Sequence, residues 1–464
     1  MLKIIFLILM SGGIPVAIAM AGASLIYLIY QDTTPPFVVI HRMVSGIDSF
    51  PLLAVPFFIL AGNLMNNAGI TNRIYNYALA LVGWLKGGLG HVNVVGSVIF
   101  AGMSGTAIAD AAGLGTIEIK AMKDHGYSTE FAVGVTAASA TLGPIIPPSL
   151  PFVIYGMMAN VSVGALFLAG ILPGVLMALL MMVTVAYFAH INGWGSDVKF
   201  EWPRVIKALI ETAVVIAWPL SIWYLVTQLG FQPQWTVFAA IGVLFAADRF
   251  FDFQAVLPIM TPVLLIGGMT TGVFTPTEGA IAACVWALIL GLLWYRTMTI
   301  KMFVKVCLET VETTATVLFI VAAASIFGWM LTATGVTAAI GEWVLGFTKE
   351  PWMFLLLANL LMLFVGCFLE PTAAITILVP ILVPICQKLG IDLVHFGLVM
   401  VLNLMIGLLH PPMGMVLFVL ARVAKLSVER TTMAILPWLV PLLGSLVVIT
   451  YVPSLVLWLP KLVY

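Results

Sequence analysis

The sequence is poor in charge. Only 8% of its 464 residues are charged, whereas 62% are hydrophobic, and soluble globular proteins carry roughly 25% charged residues. Most of the chain therefore avoids water, which excludes the series of soluble domains that the length alone would suggest. The formal net charge is zero and there is no basic stretch, so we expect no nucleic-acid partner.

Cysteine and the motifs of covalent chemistry are also scarce. The sequence has no nucleotide-binding loop and no cluster of metal ligands, so we expect no enzyme and no cofactor. The first apolar run continues through Ile29 without an Ala-x-Ala site, which favours a first membrane span over a cleaved signal peptide. Four cysteines in apolar runs, without Cys-x-x-Cys spacing, are interpreted as small buried residues: Cys284, Cys307, Cys367 and Cys386.

Long apolar runs dominate instead. A spanning helix needs about 20 apolar residues, and the pattern therefore predicts an all-α polytopic membrane protein. The predicted spans cover residues 4–29, 37–65, 163–191, 207–228, 234–250, 255–273, 276–295, 304–333 and 434–458.

Two further apolar segments are broken in the middle, and each half is too short to cross a bilayer. We call them the first hairpin (91–121), broken at Ser104, Gly105 and Thr106, and the second hairpin (353–387), broken at Glu370, Pro371 and Thr372. This pattern is typical of a re-entrant helical hairpin.

Another two segments are long enough to cross but are interrupted by glycine and proline. We call them the first broken helix (129–160), interrupted at 143–149, and the second broken helix (393–422), interrupted at 410–414. Proline removes a backbone donor and frees a carbonyl from the helical ladder, so both segments are predicted to unwind there.

The interruptions recur at a nearly fixed spacing. Ser104 and Glu370 at the hairpin tips are 266 positions apart, and the Pro-Pro pairs that begin at Pro147 and Pro411 are 264 apart. We therefore predict a tandem repeat, with one unit at 1–192, a second unit at 255–464 and inter-repeat helices in 193–254.

The placement of Lys and Arg predicts the orientation. An inside N-terminus puts fifteen basic residues in the cytoplasm and four outside, so the C-terminus is periplasmic, the hairpins enter from opposite faces and the repeats are inverted. Segments 70–85 and 336–348 are predicted to lie along the two membrane surfaces as arms. The cytoplasmic set is Lys3, Arg73, Lys86, Lys120, Lys123, Lys199, Arg204, Lys207, Arg249, Arg296, Lys301, Lys305, Arg422, Lys425 and Arg430, and the outer set is Arg42, Lys349, Lys388 and Lys461.

Paired interruptions of this kind predict a transport site. Irregular backbone is tolerated at membrane depth only where protein or trapped water satisfies it, and discontinuous helices in matching places mark secondary-transport sites. Free carbonyls suit a cation such as sodium, and helix N-termini suit the carboxylate of a substrate. A single break is usually a plain kink, but four breaks paired by the repeat favour the functional interpretation.

Several acidic residues have a structural interpretation beside the functional one. The run from Thr275 to Glu278 is typical of a capping box, with ion coupling as the alternative for Glu278. Glu370 opens the second arm of its hairpin and is either a helix cap or an ion ligand. Glu118 and Lys120 are interpreted as a solvated salt bridge at the foot of the first hairpin. For Asp110, within reach of the first tip, a functional and a structural role both stay open.

These motifs resemble the large membrane subunit of TRAP (tripartite ATP-independent periplasmic) transporters, also called DctM-like, over nearly the whole chain. The motifs that carry the resemblance are Ser104-Gly105-Thr106, Gly113, MKDHGY at 122–127, GPIIPPS at 143–149, FTPTE at 274–278, LGID at 389–392 and PPMG at 411–414.

The resemblance implies more than the residues show. It implies an elevator-type fold in the bacterial inner membrane, sodium coupling, and import of carboxylates such as C4-dicarboxylates or sialic acid. It also implies two partners, a small four-helix membrane subunit and a periplasmic substrate-binding protein. No four-helix domain is fused at either end of this sequence, so we expect the small subunit to be a separate chain.

The same resemblance implies the site residues. The first ion site would use Ser104, Gly105, Thr106, Gly143 and Pro144, and the second Glu370, Pro371, Thr372, Gly407 and Pro411. The predicted substrate-binding residues are Asp110, Pro147, Pro148, Ser149, His410, Pro412, Met413 and Gly414.

The chain departs from the family pattern in two places. Residues 207–250 hold two helices more than the family usually has between its repeats, and His410 stands where threonine is expected. The main alternative function is a self-sufficient sodium- or proton-coupled carboxylate symporter of similar fold. Genes for a binding protein and a small membrane subunit beside this one would discriminate the two. A passive channel is disfavoured, because paired hairpins would occlude a pore.

Overall fold

The computed structural model describes residues 1–31, 35–227, 256–270, 272–411 and 414–463. These residues form helices joined by short turns and loops, with no β-sheet among them. The helices are α1 (Leu2–Ser11), α2 (Val16–Gln31), α3 (Val38–Ile47), α4 (Ala54–Asn67), α5 (Ile70–Val82), α6 (Gly88–Ser104), α7 (Ala107–Ala112), α8 (Leu114–Asp124), α9 (Thr129–Ala140), α10 (Leu150–Ala159), α11 (Val163–Asn192), α12 (Trp202–Thr227), α13 (Met260–Thr270), α14 (Pro276–Leu288), α15 (Ile300–Ala333), α16 (Val336–Phe347), α17 (Pro351–Gly366), α18 (Pro371–Lys388), α19 (Leu393–Gly407), α20 (Met415–Ala424), α21 (Val428–Tyr451) and α22 (Pro453–Val463).

Five helices in the described part of the chain are long and apolar enough to cross a membrane. Three of them match the predicted spans at 163–191, 276–295 and 304–333. One of these, α14, continues as a π-helix over Ile289–Trp294. The predicted span at 234–250, which would be the second extra helix, lies outside the described residues. The five are Val163–Asn192, Pro276–Trp294, Ile300–Ala333, Pro371–Lys388 and Val428–Tyr451.

Three predicted spans are wrong as single helices. Segment 4–29 divides into α1 and α2, because Gly13 adopts a left-handed φ of 77° and Pro15 cannot donate to a continuing helix. Segment 37–65 divides into α3 and α4 around a 3₁₀ turn at Phe50–Leu53. Segment 434–458 divides before Pro453, which disfavours a helical conformation for the residue in front of it.

The outer helices of the two halves of the chain pack on each other. One hydrophobic cluster joins α1, α2 and α3 to the second part of α15, where the rings of Phe6 and Phe327 lie 4.9 Å apart. Helix α4 packs along α14 and α15. The segments predicted as arms form the separate helices α5 and α16, each following a left-handed glycine, Gly69 or Gly335.

Each predicted hairpin and each predicted broken helix is divided where the sequence indicated. The first hairpin consists of α6 followed by α7 and α8, and the second of α17 and α18. Helix α18 is by itself long and apolar enough to cross a membrane, so the prediction that each half is too short is wrong for that half. The broken helices are α9 with α10 and α19 with α20. The second helix of each broken helix packs on the hairpin of the other half of the chain. Helix α10 packs on α18 of the second hairpin, and α20 packs on α7 of the first.

Candidate functional site

The tip of the first hairpin is a short reversal between two helices. Helix α6 ends at Ser104, Gly105 has a positive φ of 62°, and Thr106 is extended and caps α7 by accepting a hydrogen bond from the Ala109 N–H at 3.3 Å. The left-handed conformation at Gly105 favours glycine, because a side chain would be strained there.

The first tip touches the unwound segment of the first broken helix. A Cβ atom added to Gly143 would lie 3.1 Å from the Thr106 carbonyl oxygen, and one added to Gly105 would lie 2.6 Å from the Pro148 carbonyl oxygen. Gly105 is therefore required for this approach of the two backbones, and Gly143 leaves little room for a side chain. Of the residues predicted for the first ion site, Thr106 lies against Gly143, whereas Gly105 lies against Pro148.

A small recess, with room for about one water molecule, opens beside this contact. Ser104 lines it, is 7% exposed, and has a hydroxyl without a hydrogen-bond partner among the described residues. An unpaired buried hydroxyl is costly unless a ligand or water satisfies it. The lining residues are Phe58, Ile59, Ser104, Gly105, Thr106, Pro148 and Leu150.

Helix ends of opposite polarity meet at the recess. The C-terminal end of α6 carries partial negative charge, and the N-terminal end of α10 carries partial positive charge. Ser149 caps α10 by accepting from the Phe152 N–H at 3.3 Å, and its hydroxyl donates to the Pro144 carbonyl at 2.5 Å. Thus Pro144 and Ser149 are bonded to each other, and both are buried with Pro147 and Pro148.

The tip of the second hairpin uses its carboxylate as a helix cap. Glu370 accepts hydrogen bonds from the Ala373 N–H at 3.3 Å and from the Thr372 hydroxyl at 2.8 Å. Pro371 occupies the first helical position of α18, where its missing N–H is not needed. Of the two roles left open for Glu370, these bonds favour the cap.

The second hairpin lies against the second broken helix through glycine as well. A Cβ atom on Gly407 would lie 2.7 Å from the Gly366 carbonyl carbon at the end of α17. His410 follows, with its Nδ1 at 3.1 Å from the Ile406 carbonyl oxygen, and its own carbonyl accepts from the Gly414 N–H at 3.0 Å. Pro411 is exposed, and the predicted substrate residues Pro412 and Met413 lie outside the described residues.

A set of buried polar side chains connects the helices of the first hairpin to one another and to the first broken helix. We call this set the buried polar network. Asn93 of α6 is its centre: its amide donates to Glu118 at 2.6 Å and to Thr136 at 2.8 Å, and its oxygen accepts from Ser139 at 2.7 Å. Ser97 donates to Ser139 at 3.0 Å and lies beside the Asp110 carboxyl. Sequence reasoning missed this network.

Two sequence interpretations change here. Glu118 is 1% exposed, whereas Lys120 is exposed, and the ion pairs of the described residues do not include them, so the predicted solvated salt bridge is wrong. Residues i and i+2 do not face each other on a helix, and that spacing was the available signal. Asp110 is 2% exposed and belongs to the network rather than to the lining of the recess.

The second half of the chain has an uncharged counterpart. Asn359 and Asn403 stand 266 and 264 positions after Asn93 and Ser139, the same offsets as the tips and the proline pairs. The Asn403 amide donates to the Asn359 side-chain oxygen at 2.8 Å, and the Asn359 amide donates to Thr450 at 3.1 Å. In both halves an asparagine therefore ties the first arm of a hairpin to a broken helix.

The loop after α11 closes the base of the first hairpin. Asp197 accepts from the Leu89 N–H at 2.9 Å, at the start of α6, and from the Tyr127 hydroxyl at 2.6 Å. Burial raises the pKa of Tyr127, and Asp197 raises it further, so Tyr127 stays neutral and donates. Trp194 and Phe131 pack on Tyr127. These contacts fix the hairpin to α11 on the side away from its tip.

Comparison with known proteins assigns the chain to a family. The family described as the tripartite ATP-independent periplasmic transporter, DctM component, matches residues 3–455. The chain belongs to this DctM family. It is 41% identical over 454 residues, 98% of this chain and 96% of the other, to the sialic acid TRAP transporter large permease protein SiaM of Vibrio cholerae. It is 33% identical over 468 residues, 98% and 97% of the two chains, to the C4-dicarboxylate TRAP transporter large permease protein DctM of Rhodobacter capsulatus.

Membership of the DctM family makes the chain a transport subunit, not an enzyme, and with its apolar helices a multi-pass inner-membrane protein. The fold is also that of a solved structure, the Alcanivorax borkumensis YdaH transporter, with a TM-score of 0.60 over 91% of this chain and 88% of the other. The sequence identity is 15%, so this likeness concerns the fold alone.

Proposed function

We propose that the chain is the sodium-coupled translocation subunit of a transporter that imports organic acids. The observation that carries the proposal is the recess at the first tip. There the buried Ser104 hydroxyl, which has no partner among the described residues, lies at the C-terminal end of α6 and beside the close approach of Gly105 to the Pro148 carbonyl. Unwound carbonyls and helix C-termini coordinate sodium in secondary transporters of inverted-repeat design.

The substrate site that we propose adjoins the cation site. Helix α10 begins at Leu150 beside the recess, and its N-terminus favours a carboxylate. Relatives of the chain are named for sialic acid and for C4-dicarboxylates, which share a carboxylate group. Ser149, Pro147 and Pro148 on one side, and His410 with residues 412–414 on the other, are the proposed contacts.

For the second ion site we propose that backbone carbonyl oxygens, more than the Glu370 carboxylate, bind the ion. Glu370 is engaged by Thr372 and by the N-terminus of α18, so it orients that helix end. The Gly366 and Gly407 contact brings the two backbones together there, as Gly143 does at the first tip. Sodium at the second site would then use carbonyl oxygens near Gly407 and the hydroxyl of Thr372.

Family membership supports our proposals for the partners and the mechanism. We propose a separate small four-helix membrane subunit and a periplasmic binding protein that delivers the solute. The hairpins and broken helices would move as one body against the outer helices α1–α4 and α14–α15, in an elevator motion. The alternative, a self-sufficient sodium- or proton-coupled symporter, predicts transport by this chain without either partner.

Uptake into vesicles tests the proposal. The chain is reconstituted with its small membrane subunit, and radiolabelled sialic acid or succinate is added with and without the binding protein. We expect accumulation only with an inward sodium gradient and only with the binding protein present. Equal uptake in a potassium gradient would contradict sodium coupling, and full uptake by the chain alone would favour the self-sufficient symporter.

A further inference from the structure

Glu118 is a buried carboxyl group whose hydrogen bonding is incomplete. It lies on α8, inside the first hairpin, and is 1% exposed. Its Oε2 accepts from Asn93 at 2.6 Å, but its Oε1 has no partner among the described residues. That oxygen lies against Gly96, where an added Cβ atom would come within 2.7 Å of it.

A second carboxyl group increases the cost of a charge on Glu118. Asp110 is 2% exposed, and its Oδ2 also has no partner in the described part of the chain. The two groups are close enough to interact electrostatically. Removing an ion from water is expensive, and two like charges that share a buried site cannot both be kept without compensation.

No cation of the described residues provides that compensation. The ion pairs there join Arg204 to Glu201, Lys207 to Glu211 and Lys305 to Glu309. The elements packed on α7 and α8 are α5, α6, α9 and α20. On α5, Tyr75 faces Glu118, Arg73 lies over the Tyr295 ring and Tyr77 is bonded to Thr212. On α6, His91 lies at the Lys86 backbone. The remaining two groups are the half-buried Glu130 of α9 and the exposed Arg422 of α20.

In the second half of the chain, the corresponding hairpin is joined to its broken helix without a carboxyl group. The positions 266 residues after Asp110 and Glu118 are Thr376 and Pro384. There Asn359 binds only Asn403 and Thr450, and the hairpin still packs on its broken helix. A hairpin of this kind can therefore be held together without a carboxyl group.

We propose that Glu118 is a proton-binding site: it carries a proton at neutral pH, inside the first hairpin and apart from the recess. Its proton removes the like-charge repulsion with Asp110, while its Oε2 still accepts from Asn93. Loss of that proton in alkaline medium would put charge between α6 and α8 and loosen the hairpin. The proposal goes beyond sodium coupling and holds whether or not the recess binds sodium.

Infrared spectroscopy of the purified chain in lipid at neutral pH tests the protonation directly. We expect a carbonyl stretching band of a protonated carboxylic acid that disappears in Glu118→Gln and stays in Glu312→Gln, whose side chain is exposed. Glu118→Asp, which should shift the band rather than remove it, covers the case in which Glu118→Gln does not fold. A wild-type spectrum from which neither variant removes or shifts a band would overturn the proposal.

The pH dependence of the melting temperature gives a second, independent readout. If the folded state holds a proton that the unfolded chain releases, stability must fall as the pH rises through neutral and alkaline values. As the pH is raised, we expect the melting temperature of the wild-type protein to fall more steeply than that of Glu118→Gln. The melting temperature of Glu312→Gln should fall as in the wild type. Parallel curves for all three proteins would overturn the proposal. A second result would also overturn it: the infrared band of a protonated acid is absent, and the melting temperature depends more steeply on sodium only in the proteins that keep Glu118. The carboxylate would then be binding sodium.

Discussion

Asn93 is the residue on which the interior of the first hairpin depends most. Its amide and its oxygen join Glu118, Thr136 and Ser139 in three hydrogen bonds of 2.6 to 2.8 Å, and it is fully buried. Removing one partner of a buried hydrogen bond leaves the other partners unsatisfied, which costs more than the net value of the bonds. The asparagine therefore specifies how α6, α8 and α9 fit together.

Asn93→Leu should destabilise the protein strongly. It leaves the Glu118 Oε2 without its partner, and an unsatisfied buried group costs about 1–3 kcal/mol. The measurement is the free energy of unfolding in detergent by chemical denaturation. Asn192→Ala, at an exposed residue whose amide only bonds the Phe188 carbonyl, is the control and should change stability by about 0.5 kcal/mol or less. Equal effects of the two changes would contradict the role given to Asn93.

Gly407 should not tolerate even one methyl group. A Cβ atom there would come 2.7 Å from the backbone of Gly366, and overpacking a tight contact costs about 1–3 kcal/mol. Gly407→Ala is therefore expected to lower the melting temperature and to reduce uptake. Gly444→Ala is the control, because nothing lies within 4 Å of its Cβ position and alanine is the better helix former. A Gly407→Ala protein as stable as Gly444→Ala would show that the two helices are not in contact.

The sequence predicts the role of a residue well where neighbouring residues in the chain determine that role. It predicts the role poorly where a packing partner from another helix determines it. The run from Thr275 to Glu278 predicts a capping box, and the structure has it, with the Thr275 N–H donating to Glu278 at 2.7 Å. The burial of Glu118 was not predicted, because only the packing of α6 and α9 on α8 decides which face is inside. Asn93 carried no signal either, because one asparagine in an apolar run has many explanations.

At the scale of helices, caps and breaks decide where each element begins and ends. Ser149, Ser162, Thr275, Thr299 and Asp392 each accept a backbone hydrogen bond at the start of a helix. The interruptions at the hairpin tips and broken helices were predicted because glycine and proline act locally. The division of 37–65 was missed because hydropathy alone does not distinguish one long helix from two short ones. The division of 4–29 has a local signal, Gly13 and Pro15, which outweighs the hydropathy of the run.

Loss of the capping box should weaken the start of α14. Thr275→Ala removes the hydroxyl that accepts from the Glu278 N–H, and loss of such a cap costs about 0.5–2 kcal/mol. Chemical denaturation in detergent measures the change. Thr332→Ala is the control, since that exposed hydroxyl only bonds a carbonyl of its own helix. A Thr275→Ala protein as stable as the control would mean that α14 does not depend on its cap.

At the scale of the whole molecule, the repeat spacing predicts which elements correspond but not which of them pack together. The offsets of 266 and 264 positions identify the hairpins and broken helices. They do not reveal that α10 packs on the second hairpin and α20 on the first. That exchange depends on surface shape across the two halves, which no local pattern encodes. It joins the two halves through their hairpins and broken helices, and our transport proposal requires such a contact.

The inverted orientation of the repeats remains a prediction from the basic residues, and cysteine labelling tests it. Lys86 and Lys388 are both exposed, at the foot of the first hairpin and at the end of the second. We expect Lys86→Cys to react with an impermeant thiol reagent only from the cytoplasmic side and Lys388→Cys only from the periplasmic side. Labelling of both from one side would contradict inverted repeats.

The most direct test of the central claim, sodium binding at the first tip, is the melting temperature of the purified chain in sodium against matched potassium and choline. A ligand that binds only the folded state stabilises by about 2.7 kcal/mol at a hundredfold excess over Kd. Our account predicts a sodium-specific rise that Ser104→Ala removes. It also predicts that the rise is kept in Thr314→Ala, which deletes another unpartnered hydroxyl, on α15. An equal sodium-specific rise in Ser104→Ala and in wild type would contradict it.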